Sequence, residues 1–290
     1  MKLTECFLEC EAAMKRGSAS FYHAFRYLPS PKREAVHVIY AFCRMIDDSV
    51  DEPEQSPYTL AELEAHLNAL DQVEGHYIWP ALRWLFANFP VTKEPFYLQM
   101  QGQRRDLVMT QYSTLEELES YCYLVAGTVG EMLLPVLHDA SDEDVVRAGI
   151  QLGKAMQIVN IVRDIGEDLG RGRRYVPLEL LEKHGYAIEA YEAMKLDAPF
   201  RAVIDELGRL ASLWFGEGLK ELHTYPESSA FAIELAASYY GAILGEVKRN
   251  RYQVFTKRAV VSPYTKLKLL TELRGKHRIA AELRESGAVS

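Results

Sequence analysis

Apolar residues recur three and four positions apart through most of the 290-residue chain, while alternating runs rich in Val, Ile and Thr are nearly absent. The pattern predicts an all-α protein. Prolines and turn residues punctuate it at LPSPKRE (28–34), DEPEQSP (51–57) and NFPVTKEP (88–95), and again at YVP, YPESS and VSP. Between these breaks the spacing predicts helices of roughly one to two dozen residues around a shared core. No linker-like stretch and no repeat of fixed period interrupts the chain, which predicts one domain over residues 1–290. The longest apolar run, YCYLVAGTVGEMLLPVL at 121–137, contains Glu131, Pro135 and two glycines. It reads as a buried, kinked helix rather than a membrane span.

Two segments place carboxylates inside this apolar helical pattern. RMIDDSVDE (44–52) follows the run AVHVIYAFC, and QIVNIVRDIGEDLGRGRRYVP (157–177) carries a second acidic group. Asp47 and Asp51 are four apart, as are Asp164 and Asp168, so each pair stacks on one helix face about a turn apart. The same faces extend backwards to Arg44 in the first segment and to Asn160 and Gln157 in the second. Like charges among apolar neighbours need a compensating cation. With only oxygen donors available, a hard ion is expected, Mg²⁺, which shares its coordination sites with phosphate oxygens. Neither GxxxxGK[ST] nor a strand-linked GxGxxG is present, which removes the usual support for nucleotide binding. The predicted substrate is a greasy chain with a diphosphate head.

Composition narrows the class. Hydrophobic residues at 48% and charged residues at 26% are globular values, and a net charge of −8 disfavours a nucleic-acid partner. Cys6, Cys10, Cys43 and Cys122 form no CxxC pair, so a reduced, cytoplasmic setting is expected. The opening MKLTECFLECEAAMKRG is unlike a secretory signal, and the polar ending RIAAELRESGAVS (278–290) is not expected to anchor in a membrane.

Four segments, SASFYHAFRYLP (18–29), YAFCRMIDDSVDE (40–52), YCYLVAGTVGEMLLPVL (121–137) and NIVRDIGEDLGRGRRYVP (160–177), resemble the squalene and phytoene synthase family in that family's order. Within it, GTVGEML and the leucine- and proline-rich run after it most resemble the bacterial dehydrosqualene synthases. The resemblance implies a single-domain isoprenoid-synthase-type helical bundle with a central apolar cavity. It implies head-to-head joining of two farnesyl diphosphates through presqualene diphosphate to dehydrosqualene (4,4'-diapophytoene). Two to three Mg²⁺ ions per site are implied, held by Asp47, Asp51, Asn160, Asp164 and Asp168, with no NADPH. Arg44, Tyr40, Tyr121, Arg163 and Tyr252 fall at positions implied to be catalytic. Ser18, Ser20, Phe21, Phe25, His37, Val125, Gln157 and Arg258 fall at positions implied to bind substrate. Peripheral membrane contact and a downstream desaturase are the other partners the resemblance allows.

Substrate length and product leave alternatives open. His37 stands where thirty-carbon relatives often carry an indole, which would deepen the pocket, whereas Phe25 would block longer chains. Farnesyl is thus expected over geranylgeranyl, the substrate of a phytoene synthase. An NADPH-dependent squalene synthase, a prenyl-chain cyclase or elongating synthase, and a non-catalytic helical lipid carrier are the rival readings. The stretch 248–268 holds Lys248, Arg249, Arg251, Lys257, Arg258, Lys266 and Lys268 without an acid. It is expected to send Arg258 to the diphosphates and its other cations to a salt-sensitive contact with anionic lipid. The RGRR run, Arg171 to Arg174, is expected either to border the diphosphate site or to follow a helix C-terminus.

Overall fold

The periodic segments form helices throughout the computed structural model, which describes residues 1–285, with side chains to residue 278. The last five residues of the polar ending therefore lie outside the described residues. In chain order the helices are α1 (Leu3–Gly17), α2 (Ala19–Phe25), α3 (Lys32–Asp51), α4 (Leu60–Asn68), α5 (Ile78–Asn88), α6 (Glu94–Arg105) and α7 (Leu115–Cys122). They continue as α8 (Thr128–Leu137), α9 (Glu143–Gly170), α10 (Leu178–Lys183), α11 (Ile188–Glu192), α12 (Ala198–Gly218), α13 (Glu227–Arg249) and α14 (Pro263–Glu285). Among the described residues there is no strand, only an isolated bridge between Gln111 and Arg174.

Most boundaries have local causes. Thr59 and Thr114 close capping boxes with Glu62 and Glu117, satisfying backbone donors at the starts of α4 and α7. Asp142 accepts from the amides of Asp144 and Val145 to open α9. Pro31, Pro177 and Pro226 sit just before α3, α10 and α13, where a missing N–H costs little. The long apolar run behaves differently from a simple proline kink. Pro135 lies inside α8, but the larger irregularity is a π-helical turn over Tyr123–Gly127, between α7 and α8. Leu115–Leu137 is apolar and long enough to cross a membrane, yet it packs against α3, α6 and α9.

The centre of the molecule is α9, which lies along α12, α8 and α13, while α3 packs on α1, α5, α6 and α8. Gly153 meets the backbone of Ala126, and Gly130 that of Gly149, so α8 and the π turn approach α9 main chain to main chain. That contact fixes the separation of the acid-bearing helices α3 and α9. On α9, Ile158, Val159, Ile161, Val162 and Ile165 are buried. At about 1.5–3 kcal/mol each, they outweigh the several kcal/mol needed to keep one uncompensated carboxylate beside them.

Candidate active site

A cleft of about 650 Å³ opens between α3 and α9. Asp47, Asp51, Asn160, Asp164 and Asp168 all line it, so the two DxxxD faces do turn toward one space. Beneath lies a chamber of about 290 Å³ whose walls include Phe21, Phe25, Tyr40, Leu133 and Leu137. Arg44, Asp47, Val125, Gln157, Asn160, Arg163 and Arg258 border both spaces and mark their junction.

The carboxylates have different partners. Asp51 accepts from Arg171 at 3.0 Å and Arg173 at 2.6 Å. Asp164 is held by Arg163, with Nε at 2.8 Å, and by Arg258, with Nε at 2.9 Å. The RGRR turn therefore borders the cleft, and Arg258 lines it beside Asp164. Arg44 pairs with Asp48 one turn on. Asp47 receives only a neutral donor, Gln103 Nε2 at 2.5 Å, and burial pushes its pKa up to about 8. Burial, reinforced by Asp164 and Glu167, raises Asp168 to about 7. Asn160 Nδ2 donates to Gln157 at 3.2 Å, leaving its buried Oδ1 without a partner.

These observations define what the site accepts. Eight carboxylates and six guanidiniums line the cleft, and with Asp47 raised to about 8 and Asp168 to about 7 the two signs nearly balance at neutral pH. Among the described residues no three acidic side chains converge on one point as a self-sufficient metal cage. The available donors are instead Asp47, Asp168 and the orphaned Asn160 oxygen, a sparse oxygen set of the kind Mg²⁺ uses when phosphate supplies the rest. The residues fit that ion.

In the cleft wall, Tyr121 Oη donates to Asp106 Oδ2 at 2.7 Å and Tyr175 Oη to Oδ1 at 2.9 Å, with the two rings stacked 5.0 Å apart. Burial raises Asp106 to about 6, partly offset by these two hydroxyls. In the chamber, Phe21 packs on Phe25, Tyr40 and Tyr240 at centroid distances of 5.6, 6.1 and 5.3 Å. Ser18 caps α2 by accepting from the Phe21 amide, so it fixes the chamber aromatic while lining the wall itself.

Three expected site residues lie elsewhere. Tyr252 has a positive φ just past α13 and donates to Asp205 at 3.0 Å, outside both spaces. Ser20 lines neither space, because α2 presents Phe21 and Phe25 inward. His37 is only 3% exposed, yet it points away from the chamber and stacks on Tyr22 at 6.4 Å. The chamber face of α3 is Val36, Ile39, Tyr40 and Cys43, and His37 is rotated about 100° from Val36. The expectation that His37 sets pocket depth is therefore corrected.

His37 has another role. Burial lowers its pKa and its Nε2 has no partner, so the unfolded chain binds the proton more readily. The stability associated with neutral His37 is complete above about pH 6.5 and lost as pH falls below it. His37→Leu is expected to flatten that acid-side loss; thermal midpoints measured at pH 7.5 and 5.5 with an unchanged slope would refute this.

Sequence reading missed Gln103, Asp106, Tyr175 and Tyr240. A signal existed for two of them: Gln99, Gln103 and Asp106 repeat at helical spacing within FYLQMQGQRRD, and all three are buried.

Charged groups at the mouth and an apolar floor, inside an all-α bundle, suit a substrate that is ionic at one end and hydrocarbon along the rest, as the isoprenoid synthases require. A family model described as squalene/phytoene synthase matches residues 14–265, and the chain belongs to this family of prenyltransferase-type synthases. The 15-cis-phytoene synthase of Synechococcus elongatus is 32% identical over 280 residues, covering 91% of each chain. Phytoene synthase 1 of Solanum lycopersicum is 34% identical over 274 residues, covering 91% of this chain and 66% of that one. A crystal structure of a dehydrosqualene synthase in complex with ligand superposes with a TM-score of 0.89 at 35% identity, covering 95% of this chain and 98% of the other.

Proposed function

We propose that this chain joins two farnesyl diphosphates head to head, through presqualene diphosphate, to give dehydrosqualene. The observation carrying this reading is the junction of an acid- and arginine-lined cleft with a mainly apolar chamber, each space suited to one end of the substrate. Each of the two steps releases one diphosphate and one proton. Mg²⁺, when held by Asp47, Asp168 and Asn160, would neutralise phosphate charge and ease departure of the diphosphate.

The protein's own groups do the rest. Arg44, Arg163 and Arg258 border both spaces, where negative charge grows on the leaving oxygen. The faces of Phe21, Tyr40 and Tyr240 offer their quadrupoles to an allylic cation and supply no nucleophile. The Tyr121 hydroxyl stays protonated, because burial and then Asp106 raise its pKa well above the usual phenol value. Asp106 thereby holds Tyr121 at the cleft wall as a fixed hydrogen-bonded group. The proton-loss route needs no NADPH.

The named phytoene synthase relatives favour a second reading, with geranylgeranyl diphosphate and a forty-carbon product. Phe25 in the chamber wall favours the shorter chain. Purified protein given each diphosphate with Mg²⁺, with and without NADPH, decides between them by product mass and absorption. A thirty-carbon conjugated triene formed without reductant is expected. Binding without diphosphate release would make the protein a carrier and end the proposal. Phe25→Ala is expected to shift the ratio of kcat/KM for geranylgeranyl over farnesyl diphosphate by roughly tenfold, within the range a change in apolar pocket size produces. An unchanged ratio would show that Phe25 does not set chain length.

A further inference from the structure

The four aspartates of the two acidic helices are not held alike. Asp51 and Asp164 each face two guanidiniums, so their charge is matched before any ligand enters the cleft. Among the described residues, Asp47 and Asp168 have no Lys or Arg at ion-pair distance. The one partner of Asp47 is Gln103, whose Nε2 donates to Oδ1 at 2.5 Å, and Oδ2 has no protein donor. Gln103 is 6% exposed, lies on α6 and lines the cleft.

Gln103 reaches α3 because α6 is seated closely on the π turn. A methyl group on Gly102 would meet Val125 Cγ1 at 2.7 Å and Leu124 Cβ at 2.9 Å, so the approach needs a residue without Cβ. The adjoining residue then faces the cleft, as does Asp106 three positions on, at the end of α6. One helix thus fixes a carboxylate of α3 through Gln103 and two phenols through Asp106. The chemical type of the donor at 103 matters. A lysine or arginine there would orient Asp47 and also match its charge, and so compete with a cation. A neutral amide orients the carboxylate and leaves it open.

We propose that Gln103 is a positioning residue for the metal: it holds Oδ1 of Asp47 and leaves Oδ2 to Mg²⁺. This rests on the Mg²⁺-dependent reading of the same site and adds to it the group that keeps Asp47, unlike Asp51 and Asp164, free of guanidiniums in the empty cleft. Hydrogen-bond partners of metal-ligating carboxylates typically carry about 10–100-fold in metal affinity. Were Gln103 only a satisfied buried amide, its loss would cost stability and leave ion binding untouched.

Titration of Mg²⁺ into the full chain at a fixed excess of inorganic pyrophosphate, followed by melting temperature, tests the inference without turnover. Gln103→Met keeps the length of the side chain and removes the donor. It is expected to raise the half-maximal free Mg²⁺ concentration by about 10–100-fold. The pyrophosphate concentration needed at saturating Mg²⁺ is expected to stay at the wild-type value, a split that loss of packing alone does not produce. Gln103→Asn, too short to reach Asp47, is expected to behave in the same way and serves if the methionine variant does not fold. In an Asp47→Asn background Gln103→Met is expected to add nothing, because the amide acts through that carboxylate. Wild-type midpoints in the Gln103 variants, or an equal shift in the Asp47→Asn background, would overturn the inference and leave Asp47 among the proposed donors. A wild-type chain without a Mg²⁺ response, or one that Asp47→Asn leaves unchanged, would instead sink the proposed metal reading and this inference with it.

Discussion

Asp47→Asn is expected to lower turnover by about 10²–10³-fold at saturating Mg²⁺, the scale on which removal of one charge-stabilising group acts. Asparagine keeps the size of the side chain and an oxygen for Gln103, so the substitution removes charge with little change of shape. The same change should stabilise the protein when metal is chelated. A carboxyl raised to about 8 holds its proton more tightly in the folded than in the unfolded chain. Stability therefore declines as pH rises from about 4 toward 8, as the unfolded state ionises first. Wild-type protein in EDTA should show a lower melting temperature at pH 8 than at pH 5, and the variant a smaller difference. Asp168, raised to about 7, leaves part of the slope in place. Wild-type turnover in the variant would remove Asp47 from the proposed Mg²⁺ donors, and parallel melting curves would show that its carboxyl is not the group that titrates.

Gly166→Ala is expected to destabilise the fold by roughly 2–4 kcal/mol, the range for overpacking combined with partial loss of a buried aromatic contact. A methyl group there would overlap the Phe255 backbone carbonyl, and the Gly166 amide already donates to Val254 at 3.2 Å. The helix α9 is held by α8, α12 and α13, so the 254–258 segment must move instead. Phe255, stacked on Phe200 at 4.6 Å, would be lifted, and Arg258 would leave Asp164. Urea unfolding should show the loss of stability, and KM for the diphosphate should rise more than kcat falls. A variant with wild-type stability and KM would show that this seat is not needed.

The helical architecture was legible because 3.6-residue periodicity survives in almost every segment, and the acid pairs because carboxylates among buried aliphatics are conspicuous. Side-chain direction was legible only where periodicity carried it. On α3, Arg44 and Asp47 line the cleft, but His37, two turns before Arg44, lies about 100° from the chamber face at Val36 and stacks on Tyr22 instead. Tyr252 occupies a loop position with positive φ, where no repeat indicates direction, and Asp205 claims its hydroxyl. The Asp106–Tyr175 contact joins residues 69 apart in sequence and leaves no local trace. Likewise the basic run looked unpaired, because the acids that neutralise Lys248 and Lys268 lie outside it.

The π turn at Tyr123–Gly127 sets an angular phase for the site. It inserts one residue between the half of the helix bearing Tyr121 and the half that walls the chamber. Deleting a residue there to restore regular winding would rotate Tyr121 by about 100° relative to Leu133 and Leu137. The phenol would swing off Asp106 while Leu133 and Leu137 kept their place in the chamber wall, uncoupling the cleft side of this helix from its chamber side.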